Sequence, residues 1–505
     1  MNPLAPTRCA GRLLMALAAM TSVLLMVGCG SSGNPIIPPL GGGFSKASLK
    51  GQYVISQTGI GVDQAPLTGV DPFSETIVFS ADGNGNLNIT VDDFDQVGGP
   101  FTLANPLTGT YGISSDGTGF LIFNTNPTTN YAITMIDDSH FYVIEQDFFA
   151  TASGFGEKQD TTKFTAAPSG PFVFKAHNLD ASSRVGGITI TGGAISGTED
   201  LLTLGLLSSS HAISTAVSMT LPDATNGRGS FVLSDGSSFN YFVVNSGKFY
   251  FMSNSASGSL EIGQAEAQTG SFSLATLASG NSYVFGSSGD TSNSLGIHSA
   301  GVFTTDGNGG IKAGDNTTPG AVDYVQDGAV NPNLPFTVSG GTYTLDASGH
   351  GEIDLTLSGS SISPQKFWMV NGTRAYFLAD NTAAVEDGTF SQQQGGPFTA
   401  LSSQAAFVMD GIDITYKDRV GAFTPTSGGF NWNQAANAFD VNLGGNPTAI
   451  GTNGTYTVSS NGRVAAVVNG VTPGVVFYLS SPNTGFMVQE DGADIGGAFT
   501  QQASQ

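Results

Sequence analysis

Gly109-Thr110-Tyr111, followed by Asp116-Gly117-Thr118-Gly119, decides how this chain is read, because the stretch returns. Gly341-Thr342-Tyr343 precedes Ser348-Gly349-His350-Gly351, and Gly454-Thr455-Tyr456 precedes Asn461-Gly462-Arg463. The first spacing is 232 residues and the second 113, so one degenerate copy belongs between the first two. Asn226-Gly227-Arg228-Gly229 falls in that gap, with Val217-Ser218-Met219 as the strand before it. Phe79-Ser80-Ala81-Asp82-Gly83-Asn84-Gly85 likewise recurs 224 residues later as Phe303-Thr304-Thr305-Asp306-Gly307-Asn308-Gly309. Self-similarity at a fixed period marks a repeat architecture. Four diverged copies of one unit of about 110 residues account for all of these landmarks.

Within a copy, short runs rich in Phe, Tyr, Val, Ile and Thr are separated by Asp-Gly, Asn-Gly and Gly-Gly pairs. Such pairs supply the positive φ that tight hairpin turns need. Copy one predicts strands near 51–57, 75–80, 86–92, 108–114, 118–123, 130–136, 140–146 and 152–158. Each copy is expected to open on a Gly-x-aromatic strand, at Tyr53, Phe172, Phe272 and Phe398. A late aromatic strand follows in each, at Phe141-Tyr142-Val143-Ile144, Phe249-Tyr250-Phe251-Met252, Ala375-Tyr376-Phe377-Leu378 and Gly485-Phe486-Met487-Val488. No sustained i, i+3, i+4, i+7 apolar spacing occurs outside the N-terminal segment. The fold expected is all-β: four tandem antiparallel β-meander domains, each a small eight-stranded barrel without open edges. A β-propeller is the alternative, because half-repeats of about 55 residues approach the size of a blade. The boundaries read are 48–165, 166–269, 270–394 and 395–505.

The first thirty residues address the protein. Arg8 and Arg12 precede an apolar run from Leu13 to Val27, the pattern of a secretory signal peptide over residues 1–28. The run is shorter than the roughly 20 residues that a membrane span needs. Leu25-Met26-Val27-Gly28-Cys29 resembles a bacterial lipobox, with Met26 where that pattern usually has Leu. The resemblance implies cleavage after Gly28 and acylation, palmitate included, of Cys29, so the partner at this end is a membrane entered through acyl chains. Gly30 follows the cysteine where Asp would favour retention in the inner membrane, so the expected address is the cell envelope, at the outer membrane. Residues 29–47 read as the lipidated cysteine and a Gly/Ser/Pro tether. Leu49-Lys50-Gly51-Gln52-Tyr53, Asp82-Gly83-Asn84-Gly85 and the Gly-Thr-Tyr landmarks resemble those of Gly-rich tandem-repeat lipoproteins of bacteria. That likeness spans residues 49–505 and implies a fold and an address without a reaction.

Composition agrees with export. Charged residues make up 11% of the chain, against about 25% in typical soluble domains. Loss of residues 1–28 removes Arg8 and Arg12 and no acid, which takes the net charge from −23 to −25. So negative a chain is not a nucleic-acid binder. The two cysteines are Cys9, in the segment to be removed, and Cys29, so the mature body has no internal disulfide and must rely on real cores.

Reactive constellations are weak. Asp82, Asn84 and Asn86, with Asp93 twelve residues into the window, form a calcium candidate, since alternating carboxylate and amide oxygens suit a hard cation. Position six is Leu87 where an EF-hand loop needs Gly, so a hairpin turn is the reading preferred and no metal or other cofactor is expected. His140, His177, His211, His298 and His350 show no metal-ligand spacing and are read as surface or turn residues. Asp138-Ser139-His140 places triad residue types on alternate faces of a strand. Trp368 and Trp432 are expected in cores. The function expected is a non-enzymatic binding or structural module that meets an envelope polymer, glycan or protein. The alternative is a carbohydrate-active hydrolase with an Asp/Glu pair at a barrel mouth, drawn from clusters such as Asp92, Asp93 and Asp95.

Overall fold

The computed structural model describes residues 43–62, 70–96, 99–102, 107–125, 128–146, 150–178, 182–203, 206–255, 260–291, 296–313, 320–326, 329–330, 335–381, 384–412, 418–426, 428–434, 451–468, 471–490 and 494–503. The signal peptide, Gly28, Cys29 and most of the tether lie outside them. Among the described residues no helix is long and apolar enough to cross a membrane.

Copy one shows how alternation builds a barrel. Tyr53 and Ile55, Ile77 and Phe79, Leu87 and Ile89, Leu121 and Phe123, Tyr131 and Ile133, and Phe141 and Val143 all point inward into one core. Their strands are Lys50–Val62, Val70–Asp82, Asn86–Gln96, Leu107–Ile113, Thr118–Phe123, Thr129–Met135, His140–Gln146 and Ala150–Lys158. These are the eight strands expected, lengthened mainly where the first three bend around the barrel. The first strand pairs with the last in register Tyr53↔Lys158 to Gly61↔Ala150, which closes the ring and excludes a propeller blade. Barrels 2, 3 and 4 repeat this closure from strands Gly170–Asn178, Ser282–Thr291 and Ala405–Ile412 to strands Glu261–Ala267, Ala384–Gln392 and Asp494–Gln501. Eight strands leave an interior just wide enough for side chains to fill, and each barrel has its own aromatic core.

Two of the expected opening aromatics are misplaced. Phe272 and Phe398 precede their barrels, and Tyr283 and Ala405 hold the places of Tyr53 and Phe172. Phe272 and Phe398 are instead counterparts of Phe44 and Phe164, buried plugs that fold the incoming connection over one end of each core. The glycine–aromatic pattern marks the plug at Phe44, Phe272 and Phe398 but the strand at Tyr53 and Phe172, and local sequence does not separate the two. The tyrosine of the Gly-Thr-Tyr landmark fastens the plug. Tyr111 donates its hydroxyl to the Lys46 and Leu49 carbonyls, and Tyr343 to those of Leu274 and Leu277.

The barrels are joined into a closed ring. Outward residues of each barrel's early strands meet outward residues of the next barrel's late strands in four apolar seams. Val54, Val78 and Val91 pack on Phe242, Val244 and Met252. Val173, Val185 and Leu202 pack on Trp368, Val370 and Leu378. Val284, Val302 and Val325 pack on Val476, Tyr478 and Val488. The fourth seam brings Ala406 and Val420 of barrel 4 back onto Ala132, Tyr142 and Ile144 of barrel 1.

One side chain marks every seam. The residue after each barrel's last strand is a glutamine that donates its Nε2–H groups to two backbone carbonyls of the next barrel. Gln159 reaches Val243 (2.6 Å) and Asn226 (3.4 Å), Gln268 reaches Ser348 and Met369 (2.9 Å each), and Gln393 reaches Asn461 (2.8 Å) and Leu479 (2.7 Å). Gln502 completes the circle on Asp116 (2.9 Å) and Met135 (2.7 Å) of barrel 1. The landmark glycine is where latch and plug converge. Gly117 has φ +86, and a Cβ there would lie 2.5 Å from Gln502 Nε2 and 3.0 Å from Phe44. Gly349 and Gly462 stand in the same relation to Gln268 with Phe272 and to Gln393 with Phe398. Gln502→Ala is expected to lower stability in urea unfolding by about 1–3 kcal/mol, the cost of buried carbonyls stripped of a donor. A loss under a few tenths would show that the latch does not hold the seam.

Candidate functional site

The ring places the outward faces of all four first-and-last strand pairs around one axis. A cavity of about 620 Å³ lies there, walled by residues of every barrel, among them Ser56 and Phe155 of barrel 1, Lys175 and Gln264 of barrel 2, Thr389 of barrel 3 and Val408 of barrel 4. This volume is typical of small-molecule sites, which run about 300–1,000 Å³.

Its chemistry follows from which outward positions are charged. Lys248 and Tyr250, two apart on one strand of barrel 2, both grip Glu157 of barrel 1, the ammonium at 2.6 Å and the hydroxyl at 3.0 Å. Arg374 and Tyr376 repeat this on Glu266, with the guanidinium at 2.7 and 3.1 Å. Lys175 and His177 share Asp387 of barrel 3 at 2.9 and 3.0 Å, and Ser183 donates to the same carboxylate at 3.0 Å. The second nitrogen of His177 faces Asp290 at 3.5 Å. His140 sits between Asp137 at 2.9 Å and Glu157 at 3.5 Å.

These pairs set the charge states. Hydrogen bonds to Asp137 and Glu157 lift the His140 imidazole to about 9. Burial opposes charge on His177, yet Asp290 and Asp387 outweigh it and lift the imidazole to about 10. Burial also pushes Glu157 up, but His140 and Lys248 hold it down at about 2. Asp387 is held well below the carboxylate range by Lys175 and His177 against its own burial. At neutral pH the axis therefore carries five cationic heads, each against a carboxylate.

Two seam acids behave oppositely. Burial raises Asp95 and Asp418 each to about 7. Unfolded, both titrate near about 3.9. Between about pH 4 and about pH 7 the folded chain holds protons that the unfolded chain has released, so stability falls as pH rises through that window. The histidine contribution is complete below about pH 6.5 and is lost as pH climbs through about 9 and about 10. That of Glu157 is present above about pH 4.5 and is lost as pH falls through about 2. The thermal midpoint is expected to peak near about pH 5 and fall towards pH 9, with Asp418→Asn flattening the limb between about pH 4 and 7. A midpoint that rises from pH 5 to 9 would contradict these environments.

The calcium candidates are not brought together. Asp82, at a hairpin tip, accepts from the backbone N–H of Asn84 (2.7 Å) and Asn86 (3.1 Å) and from the Asn86 amide (2.7 Å). Asp306 accepts from the backbone N–H of Asn308 and Gly310 at the matching positions. Asp93 lies further along the strand, in the seam to barrel 2, and accepts from Arg228 (2.6 Å) and Asn240 (2.9 Å). A bulge explains its direction. Val78 pairs with Val91 and Phe79 with Ile89, so Thr90 is extra, and Val91, Asp93 and Asp95 turn outward while Phe94 stays in. The cluster Asp92, Asp93 and Asp95 is thereby divided between two faces.

Two further expectations are overturned. His140 and His177 line the axis, buried His298 packs against Gly411 and Gly496 of barrel 4, and His350 faces Asp200 across a seam at 2.8 Å. These four are seam residues rather than surface ones, whereas His211 is exposed and faces Glu199 of its own barrel at 3.1 Å. Trp368 lies in the seam between barrels 2 and 3, stacked on His350 at 4.8 Å with its Nε1–H donating to Asp200 at 3.2 Å, outside any barrel core. The side chain of Trp432 lies outside the described residues. The latch glutamines were missed, although Glu157-Lys158-Gln159, Glu266-Ala267-Gln268, Ser391-Gln392-Gln393 and Thr500-Gln501-Gln502 keep the repeat period.

No protein-family model matches the chain, and no curated protein matches it in sequence. Among solved structures it is similar to the isotype 1 transferrin binding protein B from serogroup B Neisseria meningitidis, at 9% identity over 68% of this chain and 77% of that one, with a TM-score of 0.21. A variant of transferrin binding protein B from Haemophilus parasuis is similar at 9% identity over 70% and 76%, with a TM-score of 0.19. Scores this low carry no inference about function.

Proposed function

We propose that this chain is an exported, lipid-anchored envelope protein that acts as a non-enzymatic binding or structural module. Cys29 would carry the acyl chains, and residues 30–47 would tether the ring to the outer membrane. The ligand class is an envelope polymer, a glycan or a protein. The observation that supports this best is how the charged groups at the axis are used. Lys248 and Arg374 lock to Glu157 and Glu266 across seams, and Lys175 and His177 lock to Asp387, so the charges hold barrels together. An acid–base catalyst needs a group poised to exchange protons near working pH; at the axis Glu157 and His140 are held far on either side of it, and Asp95 and Asp418, which are not, lie in the seams. A rigid ring with a compensated, walled cavity suits binding.

Protease digestion of intact cells, run beside Cys29→Ala, tests the reading. Membrane-bound wild type, with the Cys29→Ala form released into the soluble fraction, is the expected result. Digestion on whole cells would further put the ring outside, and protection until permeabilisation would put it in the periplasm. Unchanged membrane association of Cys29→Ala would overturn the anchor.

A further inference from the structure

We propose that the axial cavity is a binding site for a neutral, hydroxyl-rich ligand of disaccharide size. This deepens the binding reading above and rests on it. The cavity is open to a ligand yet built from fixed side chains, and three features of its wall point to one chemistry.

First, its cations are already matched. Lys175, Lys248 and Arg374 each hold a carboxylate within 2.9 Å. An anionic ligand would have to displace a paired carboxylate and leave it buried without its partner, and a cationic ligand would meet the converse penalty. A neutral ligand leaves the pairs intact and still finds donors and acceptors on them. Second, the outward polar positions of the wall include hydroxyls and an amide from three barrels: Ser56, Thr58, Ser153, Ser288, Thr389 and Gln264. These are outward positions on first and last strands, the places where the seams themselves use Val and Ala. Groups that both donate and accept suit sugar hydroxyls, which do the same. Third, Phe155 is a partly exposed aromatic in the wall, where the seam clusters on either side of barrel 1 meet. Tyr142 packs edge-on against it at 5.6 Å, the His140 ring lies 5.9 Å away and the Lys248 ammonium stands 5.7 Å over the ring, so its plane is fixed while its remaining exposed part offers apolar surface to the C–H face of a sugar ring.

The test is ligand-observed NMR saturation transfer to the intact ring, with maltose, cellobiose and chitobiose as neutral probes and digalacturonate as the anionic one. Binding of at least one neutral disaccharide is expected, weakened about tenfold by Phe155→Ala and retained by Phe155→Tyr. Thr389→Val, which removes a wall hydroxyl without touching a seam, is expected to weaken the same probe while the thermal midpoint stays unchanged. Absence of binding by all three neutral probes, or tighter binding of digalacturonate, would overturn the ligand class while leaving the envelope-module reading intact. Chemical conversion of a bound disaccharide would instead overturn the non-enzymatic reading.

Discussion

Asp323→Ala is expected to open the seam between barrels 3 and 4 and to destabilise the chain by about 3–5 kcal/mol. Asp323 is fully buried and accepts from Arg463 at 2.6 and 2.9 Å as well as from the Tyr478 hydroxyl. Loss of the carboxylate leaves a guanidinium in a low-dielectric seam with its main partner gone. That penalty is larger than the net contribution of the pair itself, which desolvation mostly offsets. Asp323→Asn keeps an acceptor for Tyr478 and is expected to cost less. Urea unfolding checks both, with hydrogen exchange along Val471–Ser481 reporting which seam has opened. A loss below about 1 kcal/mol for Asp323→Ala would mean the seam is held by its apolar residues alone.

Phe390→Ala should have an effect of the same size by a different route. Its ring lies among Tyr283 at 5.9 Å, Phe303 at 6.0 Å, Phe367 at 5.2 Å and Phe377 at 6.5 Å, with no exposure. Truncation removes buried apolar area and leaves a cavity that packed aromatics on closed strands cannot collapse to fill, which costs about 3–5 kcal/mol. Phe390→Leu restores part of the volume and should recover part of the loss. Thermal unfolding separates the two variants. Equal midpoints for Phe390→Ala and wild type would show that the barrel 3 core is not packed around this ring.

Within one repeat, sequence was a good guide. Inward alternation and Asp-Gly or Asn-Gly turns were enough to place the eight strands of barrel 1, because both are local. What lies between barrels was harder to read. Phe141-Tyr142-Val143-Ile144 was legible as a strand, but its lack of alternation also meant burial on both faces. Phe141 and Val143 enter the core, and Tyr142 and Ile144 enter the seam to barrel 4. Continuous apolar runs are the mark of strands covered on both sides, and that signal was present four times. The latches were invisible for another reason. A glutamine after a strand is unremarkable until the carbonyls that it meets, 67 to 101 residues away in three seams and at the other end of the chain in the fourth, are known. Four of the histidines and Trp368 were misjudged because a non-periodic residue was assumed to face solvent or a core. A ring of barrels offers a third environment.

The seam between barrels 4 and 1 differs from the others. Thr118 stands where Arg228, His350 and Arg463 grip an acid of the preceding barrel, and its hydroxyl turns to Asp116 instead. The last seam relies on Tyr142 with Thr500, Thr151 with Asp418, and the two glutamines Gln404 and Gln502 on the Asp116 carbonyl. Ring closure is therefore the feature on which the axial cavity depends most, and the one most exposed to failure.

Spin labels at Ser115 and Gln501, both exposed and each next to a latch partner, measure that closure directly in a Cys29→Ser background. The closed ring predicts a single narrow distance, set by the label arms, between two sites nearly 400 residues apart in sequence. A broad distribution centred several barrel widths away would show an open string of domains, and both the axial cavity and the fourth seam would fall with the ring.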